Sequence, residues 1–190
     1  DVAVVPTAIE LTYDGSASVS VETSTQKIDL VVTGVGSEST TYSFPYIDFD
    51  TVGKMVEVLS SVEGVSAKAM VSDSVKAEGF FGSSAKNTVL GSEAYNLYFQ
   101  PENPTLVDIE TVRNLFADIP GASVKQIGAE KDNTFQIRVG DDGTDSEISK
   151  KIQETILTKF ESEFGADNVA VIQTDFVASK FSSGLSVKAI

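Results

Sequence analysis

The chain has 190 residues, 41% of them hydrophobic, with 28 acidic against 14 basic residues, a formal net charge of −14, and neither His nor Cys. That length supports one large core or two of about 90 residues each, and the charge repels phosphate backbones and anionic membrane faces, which argues against nucleic acid as a partner. The missing residue types remove disulfides, thiolate nucleophiles, Cys-based zinc sites and the usual neutral-pH proton shuttle.

From the N-terminus, Ala8 to Tyr13, then Asp14-Gly15, then Ala17 to Glu22 with alternating apolar positions predict a hairpin. Strands are expected at Lys27 to Thr33, with Ile28, Leu30 and Val32 on one face, and at Thr40 to Phe44, closed by Pro45. Asp48 or Asp50 is positioned to cap a helix, and Val52, Met55, Val56, Leu59 and Val62 recur at helical spacing until Gly64 stops the run. A strand from Val65 to Val71 follows. The stretch Gly79 to Gly91, centred on Gly82-Ser83-Ser84, has the composition of a loop and is read as the junction between two halves, residues 1–91 and 92–190.

The second half opens with an alternating strand, Tyr95 to Gln100, broken by Pro101 and Pro104. Asp108 caps a helix whose Ile109, Val112, Phe116 and Ile119 form one apolar stripe, ended by Pro120-Gly121. Ser123 to Ile127 and Phe135 to Val139 read as strands around the polar turn Glu130-Lys131-Asp132-Asn133. Thr144 and Glu147 make a capping box for a second helix. Its Ile148, Ile152, Ile156, Phe160 and Phe164 step by four until Gly165, placed for a left-handed cap. Val169 to Phe176 is the last strand. The fold class is therefore α+β: a strand-rich α+β subdomain with one main helix, then a β-α-β-β-α-β succession of ferredoxin-like order in the C-terminal half.

No apolar run approaches the ~18–20 residues of a membrane-spanning helix, and no signal-peptide pattern opens the chain. Beginning at Asp1 rather than Met, it reads as a soluble piece of a longer protein, with a mature domain left by signal cleavage as the alternative.

Residues with chemical potential are few. Asp141, Asp142, Asp145 and Glu147 invite a calcium reading, but the spacing fits no EF-hand loop, and acids at a helix N-terminus are accounted for by its dipole. Asp48 with Asp50, and Glu161 with Glu163, are carboxylate pairs to which nothing in the sequence brings a partner. Ser179-Lys180 and Ser182-Ser183-Gly184 form no nucleophile elbow. Phe80-Phe81 and the group Tyr42, Phe44, Tyr46 and Phe49 are weighed as an apolar patch for a polypeptide and read as core. No catalytic, cofactor-binding or metal-binding residue is assigned, and no cofactor is expected.

One set of motifs carries a resemblance. The order Ile109-Glu110-Thr111-Val112-Arg113, Pro120-Gly121-Ala122-Ser123-Val124-Lys125-Gln126-Ile127-Gly128, Phe135-Gln136-Ile137-Arg138-Val139, Phe164-Gly165-Ala166-Asp167-Asn168-Val169 and Asp175-Phe176-Val177 resembles the first extracytoplasmic domain of the SecD/SecF protein-export family, its SecF branch more closely. In that family the last segment continues through Gly-Pro, where Ala178-Ser179 stand here, and Phe181 to Leu185 follow it loosely. The resemblance covers the second half and leaves residues 1–91 as an N-terminal insertion. It implies a non-enzymatic periplasmic domain at the bacterial inner membrane, belonging to an accessory subunit that works with SecD and the SecYEG channel on emerging preproteins. The proton-carrying residues of such proteins lie in membrane helices outside this chain. A secreted or surface-exposed binding module is the alternative.

Overall fold

The computed structural model describes residues 1–34, 36, 38–77, 87–99, 103–140 and 146–175. In chain order the elements are β1 (Val2–Val4), β2 (Thr7–Tyr13), β3 (Ser18–Thr23), β4 (Lys27–Thr33), β5 (Ser39–Pro45), α1 (Val52–Ser60), β6 (Val65–Ala69), β7 (Thr88–Val89), β8 (Tyr95–Tyr98), α2 (Ile109–Leu115), β9 (Ser123–Ile127), β10 (Thr134–Arg138), α3 (Ser146–Phe164) and β11 (Val169–Val171). The chain is α+β, with three sheets among the described residues. It divides into two compact units, one made of Asp1–Val5 with Glu102–Ile190, the other of Pro6–Pro101.

In the first unit the sheet order is β11-β1-β10-β9, every neighbour antiparallel. β1 is one of the two central strands, with Val2 and Ala3 paired to β10 on one side and all three of its residues paired to β11 on the other. The strand expected at Tyr95 to Gln100 to open this half forms at Tyr95–Tyr98 and pairs with β2 in the other unit instead. Alternation tells a strand which of its faces is apolar and leaves its partner open, and Leu97 is fully buried in the other unit's core. Pro6–Pro101 accordingly follows β1 and is internal to the chain order of this unit.

The core of the first unit joins Val2, Val112, Phe116, Phe135, Phe160 and Val169. Phe160 lies 5.9 Å, centroid to centroid, from both Phe116 and Phe164, so the four-residue step along α3 aims its aromatic rings at α2. Asp108 caps α2 as expected, accepting from the Glu110 N–H at 3.1 Å. Gly165 ends α3 with φ at +92°, a positive value as expected, but with ψ at 143°, extended rather than left-handed helical. Thr144, and with it the expected capping box to Glu147, lies outside the described residues.

Asn133 ties this unit together. It follows a 3-10 turn at Glu130–Asp132 with φ at +45°, a left-handed conformation Asn tolerates better than most residues. Only 3% exposed, its Oδ1 accepts from the Val107 N–H and its Nδ2 donates to the Thr105 carbonyl, both at 2.9 Å. Its own carbonyl accepts from the Val4 N–H at 2.9 Å.

The second unit holds two sheets, of order β6-β2-β8 and β5-β4-β3-β7, and helix α1. The hairpin expected at Asp14-Gly15 does not form, because β2 and β3 belong to different sheets. Between them the Tyr13 side chain crosses above Gly15, and its hydroxyl accepts a hydrogen bond from the Ala17 N–H at 3.1 Å. Both strands still turn alternate residues inward, and Ile9, Leu11, Val19, Val21, Ile28 and Leu30 meet Val52, Met55 and Leu59 of α1 in one core. The cap of α1 is Thr51, whose hydroxyl accepts from the Lys54 N–H at 3.3 Å, rather than Asp48 or Asp50. Gly64, at φ +81°, is required here: a Cβ would lie 2.7 Å from the Tyr13 ring and 2.9 Å from the Asp14 carbonyl oxygen.

Candidate functional site

The carboxylate pairs read in the sequence gather no chemistry. Asp50 is exposed and forms an ion pair with Lys54 at 2.8 Å, and the hydrogen bond from that ammonium, with its charge, holds the Asp50 carboxyl below its ordinary range. Asp48 is exposed in the turn beside it, and Glu161 and Glu163 lie on α3 at partly to fully exposed positions. Asp118 is held low in the same way, first by its hydrogen bond to Lys159 on α3, and Arg113 pairs with Glu110 along α2. Among the described residues no three metal-ligating side chains converge. Asp141, Asp142 and Asp145 of the acidic cluster, Phe80-Phe81, and the segment from Phe176 through Ser179, Lys180 and Ser182 to Leu185 lie outside the described residues, while Glu147 falls in α3.

The aromatic group divides. Phe44 and Tyr46 are buried, Phe44 meets Phe49 edge to face at 5.9 Å, and the Tyr46 hydroxyl donates to the Ser24 carbonyl at 3.1 Å. Burial pushes the Tyr46 phenol up to about 12. Tyr42 remains 44% exposed, and Ile47, in the turn after β5, is 88% exposed.

Tyr42 lies in β5 and Ile47 just beyond it, and the outer edge of that strand is a more specific feature. The strand has seven residues, Ser-Thr-Thr-Tyr-Ser-Phe-Pro, and Ser39 through Ser43 are all exposed. It pairs with β4 on one side only, from Lys27 opposite Pro45 to Thr33 opposite Ser39, and among the described residues nothing pairs with its other side. The Tyr46 N–H donates to the Gln26 carbonyl, and the Gly34 N–H to the Glu38 carbonyl, each at 3.0 Å. In an antiparallel pair, bonded and non-bonded residues alternate, so Thr40, Tyr42 and Phe44 spend their main-chain groups on β4. Ser39, Thr41 and Ser43 direct theirs outward. The sequence offered the uncharged run, but nothing in it marks which strand ends a sheet.

The chain is 26% identical over 200 aligned positions to the protein translocase subunit SecF of Treponema pallidum (strain Nichols), covering 94% of this chain and 47% of that relative. The chain is SecF-like. No family model matches it, and no solved structure does. The SecF similarity runs through both halves, since 94% coverage leaves room to omit neither. This SecF-like chain spans about half the length of its relative, and none of its described helices is long and apolar enough to cross a membrane.

Proposed function

We propose that this chain is a periplasmic domain of a SecF-like accessory subunit of the Sec translocase, held at the bacterial inner membrane by helices outside the chain. In that place it works with SecD beside SecYEG and assists the export of preproteins. The single observation that carries this reading is the similarity to a translocase subunit along nearly the whole chain. We further read the first unit as a ferredoxin-like domain. Its four antiparallel strands and two helices in the order β-α-β-β-α-β support this, with β1 rather than Tyr95–Tyr98 as the first strand. The Pro6–Pro101 unit then acts as an inserted module that enlarges the docking surface. The domain serves by contact and orientation and has no catalytic role in this reading.

The absence of native Cys makes the topology measurable. A full-length protein with Ile47→Cys on a Cys-free background should react with a membrane-impermeant maleimide in intact spheroplasts, and depletion of the protein should slow export of a secreted reporter. Labelling only after lysis would refute the periplasmic placement. Unchanged export and no co-purification with SecD would refute the translocase assignment.

A further inference from the structure

The β5 edge differs from every other sheet edge among the described residues. The edge strands β7 and β11 have two and three residues and β8 has four. The edge strands β6 and β9 each carry a lysine, Lys68 and Lys125. Short length and an edge lysine are the ordinary means by which a sheet is kept from pairing with another chain. β5 has seven residues, no charge and no bulge in its register with β4, and only Pro45, at its far end, blunts it.

We propose that the outer edge of β5 accepts an extended, neutral-to-basic polypeptide segment as an added strand. The N–H and C=O groups of Ser39, Thr41 and Ser43 are complementary to an extended backbone and to little else, the recognition mode in which main-chain bonds give affinity with little demand on sequence. The charge around the edge selects the sign of the occupant. Glu38 precedes the strand and Asp48 follows it, both exposed. Asp29 and Glu22 stand in line behind Ser43 across β4 and β3, and among the described residues the Asp29 Oδ1 has no hydrogen-bond partner although its Oδ2 meets Lys27 at 3.0 Å. A second copy of the chain would bring another net charge of −14 to the same place and is disfavoured by repulsion. Tyr42 and Ile47 offer apolar contact to alternate side chains of the added strand. This inference concerns the isolated chain and holds independently of the export assignment.

The test uses the full 190-residue chain, isotopically labelled, titrated with an unstructured peptide of about seven residues, a common strand length, alternating Lys with Thr and Val. Expected are amide shifts and slowed exchange at Ser39, Thr41 and Ser43, weaker binding of the same peptide with Glu for Lys, and no binding of a version N-methylated at alternate residues. Thr41→Pro removes one outward N–H and leaves the bonds to β4 intact, a placement at which an edge strand tolerates proline. It should weaken binding about tenfold, as loss of one well-formed backbone bond implies. Thr41→Lys, which keeps the N–H, should reverse the preference between the Lys and Glu peptides. Equal binding of the N-methylated peptide, undiminished binding to both variants, or shifts confined to other strands would overturn the proposal. So would self-association of the free chain that Thr41→Pro abolishes, since the occupant would then be a second copy.

Discussion

Val2 stands directly opposite Phe135 in the antiparallel pair of β1 with β10, and on its other side opposite Val171 of β11. Val2 is 5% exposed and Phe135 fully buried, so a strand of three residues holds the middle of a four-stranded sheet. Val2→Asp places a carboxylate there without a partner and should cost about 2–4 kcal/mol. Urea unfolding followed by amide exchange should show protection lost in β10 and β11 and kept in β2, β3 and β4. Uniform loss across both units would contradict the separation of their cores.

Asn133 combines two contributions that a pair of variants separates. Asn133→Ala gives up both side-chain hydrogen bonds and forces a Cβ-bearing apolar residue to φ +45°, for an expected loss of about 2–4 kcal/mol. Asn133→Gly keeps the conformation accessible and should cost about 1 kcal/mol less. Chemical denaturation of the two variants side by side measures the difference. Equal losses would mean that the hydrogen bonds carry the whole effect.

The Pro6–Pro101 unit begins and ends side by side. Thr7 lies opposite Tyr98, the Phe99 N–H donates to the Pro6 carbonyl at 3.2 Å, and the unit has a core of its own. Residues 6–101 expressed alone should therefore fold, unfold in one cooperative transition and reproduce the amide shifts of β3 and β4 seen in the whole chain. A collapsed but non-cooperative fragment would show that this core needs the rest of the chain.

Tyr46 gives the chain an alkaline limit. Its phenol titrates near about 10 when unfolded and is pushed up to about 12 by burial in the fold. The native state thus holds its proton over a range where the unfolded state has lost it. That contribution is complete below the unfolded value and is lost as pH rises toward the folded one. Tyr46→Phe should flatten the fall in stability between those limits, at a cost near about 1 kcal/mol at neutral pH for the bond to Ser24. Parallel slopes for the variant and the parent would remove Tyr46 as the cause.

The helices were legible from periodicity because their signals are local. The Met55 and Leu59 spacing of α1, the Asp108 cap of α2 and the Ile156, Phe160, Phe164 step of α3 each involve residues within a few positions of one another. Strand pairing is not local. The alternation at Tyr95–Tyr98 announced a strand and could not name β2 as its neighbour, and the turn at Asp14-Gly15 led to another sheet rather than back along β2. Val2–Val4 passed unread because three residues are too few to show a period. The polar turn ending at Asn133 was visible, but its bonds to Thr105 and Val107 depend on a segment brought to it by folding. The open edge of β5 belongs to the same class, since being last in a sheet is a property of the arrangement and not of the strand.

The position of β1 ahead of the Pro6–Pro101 unit sets an order of events during synthesis. A ribosome completes every strand of that unit before β9 exists, so its core can close while the chain is still growing. Val2–Val4 must wait through that whole interval, because its partners at Phe135 and Val169 are made only after the Pro6–Pro101 unit. Long-range closures of this kind slow folding. Residues made before that unit are therefore settled only after it, and until then three apolar residues, Val2, Ala3 and Val4, remain available to chaperones or to a neighbouring chain.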